Sequence, residues 1–220
     1  MTADPPRHIL IVGSAPTDPA RLRELAAIAG YLVCADGGGD AALKAGLIPD
    51  LLLGDMDSIT PEGRDRLRRS GVRLIEHAPE KDKTDMELAL DHALGLLPER
   101  ITVTGALGGA RLDHTLGNLF LLALPALRAL DARIVDGDTE ARATWTRADI
   151  IGHAGDIISL LPFTDQVEGV RTEGLRYPLH GEPLIRGHTR GVSNEMLGET
   201  AVVEVTSGCL LIVREGARAG

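Results

Sequence analysis

The stretch YLVCADGGGD, residues 31–40, passes without a break from an apolar strand into glycine and aspartate, and LLLGDMDS, residues 51–58, does the same. A strand buried on both faces reads as a continuous apolar run, whereas a half-exposed one alternates. Working outward, His8 to Val12, Arg73 to Glu76, residues 101–104 and residues 133–135 join Tyr31 to Ala35 and residues 51–53 as short strand candidates. Amphipathic segments with legible ends lie between them. Asp18 before Pro19 and Thr60 before Pro61 each pair a capping residue with proline at the first helical position, and Gly71 stops the second helix. Thr84 with Glu87 forms a capping box ahead of Met86, Leu90, Ala93, Leu94 and Leu97. Leu112, Leu116, Leu119, Phe120 and Ala123 make another stripe at helical spacing. Strands alternating with helices imply right-handed crossovers and an α/β unit with a mostly parallel, doubly wound sheet.

The texture changes at the turn signal Asp136-Gly137-Asp138. Beyond it, residues 157–161, 169–171, 183–186, 201–205 and 210–213 are strand candidates separated by Gly, Pro, Asp and Asn, the spacing of an all-β sandwich or barrel. The expected division is an α/β domain over residues 1–136 and a β domain over residues 137–220.

The 220 residues are 44% hydrophobic and 25% charged, a mix that gives disordered and fibrous readings no support. Aromatics make up only 2%, too few for a base-stacking platform, and the net charge of −9 leaves no broad basic surface for a phosphate backbone. No nucleic-acid partner is expected. An acidic protein that handles phosphates does so locally, through a metal or backbone N–H groups. Cys34 and Cys209 stand far apart in apolar runs and read as buried free thiols. Residues 1–7 contain no apolar signal region, and residues 119–127 are too short to span a bilayer, so the expected location is cytoplasmic, with no membrane partner.

In an open α/β sheet, ligands collect at the carboxyl ends of the strands. Four strand ends here deliver acids, glycines and cations: Asp36-Gly37-Gly38-Gly39-Asp40, Gly54-Asp55-Met56-Asp57-Ser58, Lys81-Asp82-Lys83-Thr84-Asp85, and residues 105–114 ending in Arg111-Leu112-Asp113-His114. Each piece has a plainer alternative. The glycines either form a tight strand-to-helix turn or bring N–H groups to a phosphate. Asp55 and Asp57 are turn residues or hard oxygen ligands for Mg²⁺. Asp85 either offsets a helix dipole or adds a ligand. Lys81, Lys83 and Arg111 are surface cations or phosphate clamps. His114 alone would be a structural histidine, and Asp113 a helix cap.

The order of these pieces resembles the thiamine pyrophosphokinase (thiamine diphosphokinase) family. The likeness runs through Ala35-Asp36-Gly37-Gly38, Pro49-Asp50, Gly54 to Ser58, Asp82 to Asp85, residues 108–114 and Asn118. In the second half it continues through Gly174-Leu175-Arg176-Tyr177-Pro178-Leu179 and Gly191-Val192-Ser193-Asn194-Glu195. The resemblance implies a nucleotide domain followed by a β-sandwich, a homodimer whose site is shared across the interface, and transfer of a diphosphate from ATP to thiamine with release of AMP. On matching positions, Asp55, Asp57 and Asp85 correspond to the Mg²⁺-holding acids, with Arg111 and Asp113 completing the catalytic group. Asp36, Gly37, Gly38, Lys81, Asp82, Lys83, Thr84 and His114 are candidate contacts for ATP and its phosphates, and Tyr177, Ser193 and Asn194 for thiamine. Some relatives carry Trp where Tyr177 stands, and many carry Gly where Ala110 stands. Tyr177 as a core ring and Ser193-Asn194 as a polar turn are the plainer readings of that region.

Asp113 is the candidate for orienting or deprotonating the alcohol. Two rival functions use the same rim: a pyrophosphokinase for another small alcohol such as a hydroxymethylpterin, and a nucleotide or thiamine binding protein without turnover.

Overall fold

A computed structural model describes residues 6–217. The chain forms two compact units, one from residues up to 121 together with 129–137, the other from 122–128 together with residues from 138 onward.

Unit one holds six strands: β1 (His8–Val12), β2 (Tyr31–Ala35), β3 (Leu51–Gly54), β4 (Arg73–Glu76), β5 (Arg100–Thr104) and β6 (Asp131–Asp136). They are parallel throughout, in the order β6-β5-β1-β2-β3-β4. The order reverses between β1 and β5, which opens a crevice outside their carboxyl ends. Ile9 to Val12 and Leu51 to Leu53 are buried, which is why these strands do not alternate. Five helices connect them: α1 (Pro19–Ala27), α2 (Gly38–Lys44), α3 (Pro61–Arg69), α4 (Asp85–Gly95) and α5 (Leu112–Leu121). Three start where the capping residues stand. The Asp18 carboxylate accepts from the N–H groups of Ala20 and Arg21, Thr60 from that of Gly63 and Thr84 from that of Glu87, each cap worth about 1 kcal/mol.

The apolar stripe of α5 is not buried: none of the helix's residues is buried, and Leu112, Leu116 and Phe120 are exposed. Helical period reports that a face is apolar, and it carries no information about what lies against it.

Apart from a 3₁₀ turn at Pro125–Leu127, the regular structure of unit two is antiparallel β. Its strands are β7 (Thr139–Thr144), β8 (Arg147–Ile151), β9 (Ile157–Pro162), β10 (Gln166–Glu173), β11 (His180–Ile185), β12 (Asn194–Glu195), β13 (Thr200–Glu204) and β14 (Leu210–Glu215). They lie in the orders β12-β9-β14-β7 and β11-β10-β13-β8. A single core draws on both sets, with Ile150, Val167, Val170 and Val203 from one and Ile158, Leu160, Leu210 and Ile212 from the other, as in a sandwich. Cys34 and Cys209 are both free and buried, and burial pushes both thiols up, Cys209 to about 11.

Candidate functional site

At the carboxyl ends of the unit-one strands lies a cleft of about 550 Å³. Its wall includes Asp36 after β2, Asp55 and Asp57 after β3, Lys81 to Asp85 before and at the start of α4, and Arg111 and His114 at the start of α5. Sequence order and sheet order combine to put residues from four separate loops on one rim.

The loop after β3 is held by Asp36. This carboxylate is 4% exposed, and it accepts from the N–H of Ser58 (3.0 Å) and of Ile59 (3.2 Å). Burial raises its pKa even though these bonds favour the charged form. Asp57 sits on the same loop and accepts from the Ser58 hydroxyl at 2.8 Å, while its own N–H reaches Asp55 Oδ1 at 3.4 Å. Met56, between them, has φ of +65°, a conformation that lets the chain turn sharply and leave both acids on the cleft side. Gly54 has φ of +143°, and a Cβ there would lie 3.0 Å from Asp36 Cβ and 3.2 Å from Asp85 Cγ. Only glycine lets the backbone run between these two acids.

Opposite stands Lys81. Its ammonium lies 2.7 Å from Asp55 Oδ2 and 2.9 Å from Asp85 Oδ1. Burial works against the ammonium, yet the two carboxylates outweigh it and keep its pKa above the ordinary lysine value. The Lys81 hydrogen bond holds Asp55 below the usual carboxylate range. The second contact reaches a buried Asp85 oxygen, so one ammonium bridges two carboxylates.

These acids fit a divalent cation. One oxygen each of Asp36, Asp55 and Asp57 lie within 4.8 Å of one another, and Asp85 adds a buried oxygen that faces the Lys81 ammonium. An all-oxygen, anionic donor set suits Mg²⁺ and offers nothing to softer metals. The sequence reading grouped Asp55, Asp57 and Asp85, whereas the compact trio contains Asp36, with Asp85 tied in through Lys81.

The remaining candidates are placed unequally. Asp82 lines the cleft. Lys83 also lines it but spends its ammonium on Asp91 (2.6 Å) and Glu87 (3.3 Å) of α4. The Thr84 hydroxyl caps α4. Arg111 pairs with Asp113 at 2.5 Å, both exposed, and the guanidinium brings the Asp113 pKa to about 2. Asp113 is outside the lining, and so are Gly37 and Gly38. A Cβ on Gly38 would sit 2.0 Å from the Val12 carbonyl oxygen, so α2 can start against β1 only without a side chain there.

Asp136 was missed. Its Oδ1 accepts from Thr104 Oγ1 (2.8 Å) and the Gly105 N–H (2.5 Å), and its Oδ2 from the N–H groups of Ala106 (2.8 Å) and Leu107 (2.6 Å). It thereby fixes the loop after β5, of which Gly105 and Ala106 line the cleft. Asn118 supports the same loop by donating to the Ala106 carbonyl at 2.8 Å. Gly13 to Ala15, after β1, also line the cleft. The signal for them was the rule already applied to the other strands, since β1 too ends in glycine and a small polar residue.

Unit two has its own hollow of about 290 Å³, lined by Tyr177, Arg190, Ser193 and Asn194 among others. Tyr177 is 62% exposed, so it is a surface ring, with the Arg176 guanidinium carbon 5.9 Å from its centroid. Asn194 is buried and makes three hydrogen bonds to the backbone. Its Oδ1 accepts from the N–H of Tyr177 (3.0 Å) and Glu195 (2.9 Å), and its Nδ2 donates to the Tyr177 carbonyl (2.7 Å). It clamps the backbone that presents the ring. Ser193 has φ of +61° and donates its N–H to Ser159 Oγ at 3.2 Å.

Comparison with known proteins covers both units. Residues 22–134 match the family described as "Thiamin pyrophosphokinase, catalytic domain", and residues 148–210 match "Thiamin pyrophosphokinase, vitamin B1 binding domain". The thiamine pyrophosphokinase of Bacillus subtilis is 33% identical over 181 residues, covering 81% of this chain and 84% of that protein. Thiamine pyrophosphokinase 1 of Oryza sativa is 29% identical over 227 residues, covering 89% and 78%. The crystal structure of the B. subtilis enzyme superposes with a TM-score of 0.83 at 29% identity, over 95% of this chain and 99% of that one. The Geobacillus thermodenitrificans structure gives 0.82 at 29% identity, over 96% and 99%. Matched in both units and in chain order, this chain belongs to the thiamine pyrophosphokinase family.

Proposed function

We propose that the chain is a Mg²⁺-dependent thiamine diphosphokinase, transferring a diphosphate from ATP to the hydroxyethyl oxygen of thiamine and releasing AMP. The observation that carries this reading is the unit-one rim, where carboxylates and basic side chains from several loops line one cleft. Bare carboxylates repel a polyphosphate, so such a rim suits ATP only with a cation between them. Asp36, Asp55, Asp57 and Asp85 would hold it. When bound, Mg²⁺ supplies neutralising charge on the phosphate oxygens.

The side chains then do the aligning, since phosphoryl transfer asks little covalent chemistry of the protein. The Asp136-held loop and the Gly13 to Ala15 turn wall the nucleotide cleft. Lys83 and Arg111 bring positive charge to the phosphates, Arg111 in the planar geometry that suits their oxygens. Asp82, Thr84 and His114 complete the nucleotide side. A carboxylate with a pKa near 2 accepts a proton poorly, so Asp113 serves by orienting Arg111 and the alcohol. In unit two the exposed ring of Tyr177 covers the thiamine, with Ser193 and Asn194 setting its position. We assign the nucleotide function to residues 1–136 and thiamine binding to 137–220. The active form is taken to be a cytoplasmic homodimer with the site completed across the interface, with no nucleic-acid or membrane partner; among the described residues no helix is long and apolar enough to cross a membrane.

Incubation with ATP, Mg²⁺ and thiamine, followed by product analysis, tests the proposal. AMP and thiamine diphosphate are expected. ADP with thiamine monophosphate refutes diphosphate transfer, and absence of product leaves a binding protein.

A further inference from the structure

Lys81 stands where the rim wants a cation. Its side chain is 16% exposed, between Asp55 at 12% and Asp85 at 21%. Lys83 and Arg111 pair with other acids, Lys83 with Glu87 and Asp91 of α4 and Arg111 with Asp113. One ammonium therefore compensates the inner carboxylates, which would otherwise repel one another in a partly desolvated place. Lys81 also belongs to a segment without helix or strand, between the end of β4 and the Thr84 cap of α4. A compact charge on a four-carbon stem can leave such a position without breaking any element.

We propose that Lys81 is an internal counter-ion that competes with the divalent cation for the acid rim: it holds Asp55 and Asp85 together in the cation-free protein and is released into the cleft when the cation enters. Cation uptake then frees a positive charge on the side where phosphates arrive, so cation and nucleotide bind cooperatively. This inference rests on the cation reading above and adds an opponent to it within the chain.

The test uses Mn²⁺ without nucleotide, its free concentration followed by electron paramagnetic resonance. Lys81→Met keeps the aliphatic stem and removes the charge. Giving up two close ion pairs weakens cation binding by about tenfold or more even at the dielectric of water, so the variant, which has none to give up, is expected to bind Mn²⁺ at least about tenfold more tightly than wild type. In chelator the variant should melt below wild type and gain more from added Mn²⁺. The wild-type protein supplies a second measurement that needs no variant to fold. Acetylation of Lys81 by an activated ester, read by peptide mass spectrometry, should be slow in chelator and rise severalfold with Mn²⁺. Equal or weaker Mn²⁺ binding by Lys81→Met, or labelling that Mn²⁺ leaves unchanged or suppresses, overturns the counter-ion role while leaving the cation reading intact. If wild type and variant both fail to bind Mn²⁺, both readings fall together.

Discussion

Replacing Asp136 by Asn changes one atom in the support of the cleft and leaves its shape alone. The carboxylate receives four donors, two on each oxygen. An asparagine can keep one oxygen toward Thr104 and Gly105, but its amide nitrogen then faces the N–H groups of Ala106 and Leu107, donor against donor. Two charge-assisted bonds at about 1.5–3 kcal/mol each are lost, and relaxation of the loop toward water recovers part. A net loss of about 3 kcal/mol is expected, which at this chain length lowers Tm by about 6–12 °C. Because Gly105 and Ala106 line the nucleotide cleft, the same variant should raise KM for ATP while binding of thiamine changes little. Thermal unfolding by circular dichroism and separate titrations of the two substrates measure both effects. A variant with wild-type Tm would refute the claim that Asp136 holds this loop; an equal loss of affinity for both substrates would refute its local character.

Asp57→Asn and Asp85→Asn should each lower turnover by at least about tenfold at saturating Mg²⁺, as expected when charge stabilisation is removed from a phosphoryl-transfer site; near-normal turnover takes the residue out of the site. Tyr177→Ala should weaken thiamine binding more than ATP binding and shift stability by no more than about 0.5 kcal/mol, since the ring is on the surface. A large fall in Tm would mean that the ring is structural. Burial holds both His8 and His92 below their ordinary pKa. The folded state therefore binds fewer protons than the unfolded one as pH falls below about 6.5, so their contribution is complete above that value and fades toward pH 5. Melting curves between pH 7.5 and 5 should show the decline, and His8→Gln with His92→Gln should flatten it. A wild-type profile already flat over that range would show that neither histidine is held neutral by the fold.

The α/β unit was legible because its signals are local. The caps at Asp18, Thr60 and Thr84 and the apolar runs of β1, β2 and β3 need only neighbours in sequence to be read. Helix α2 lacked such a signal, since it opens on glycine without a side-chain cap. Strands β7 and β8 also went unread. The charges of Glu140, Arg142, Arg147 and Asp149 interrupt their apolar pattern, and their place is set by long-range pairing with β14 and β13. The rim followed from the rule that strand ends collect ligands, which brought Asp36, Asp55, Asp57, Lys81 and Asp85 into view. How they divide the work did not follow. The Lys81 bridge, the grouping of Asp36 with Asp55 and Asp57, and the reach of Asp136 across to the loop after β5 depend on side-chain geometry between residues distant in sequence.

The bare backbone at Gly54 determines how this rim can be altered. Asp36 and Asp85 flank it so closely that any added carbon would wedge them apart. The spacing of the acids is thus tied to the main chain at this position. An engineer wishing to shift metal preference has little use for widening or narrowing the cradle. The workable lever is the identity of the donor atoms, exchanging a carboxylate for an amide or imidazole on a frame whose dimensions stay put.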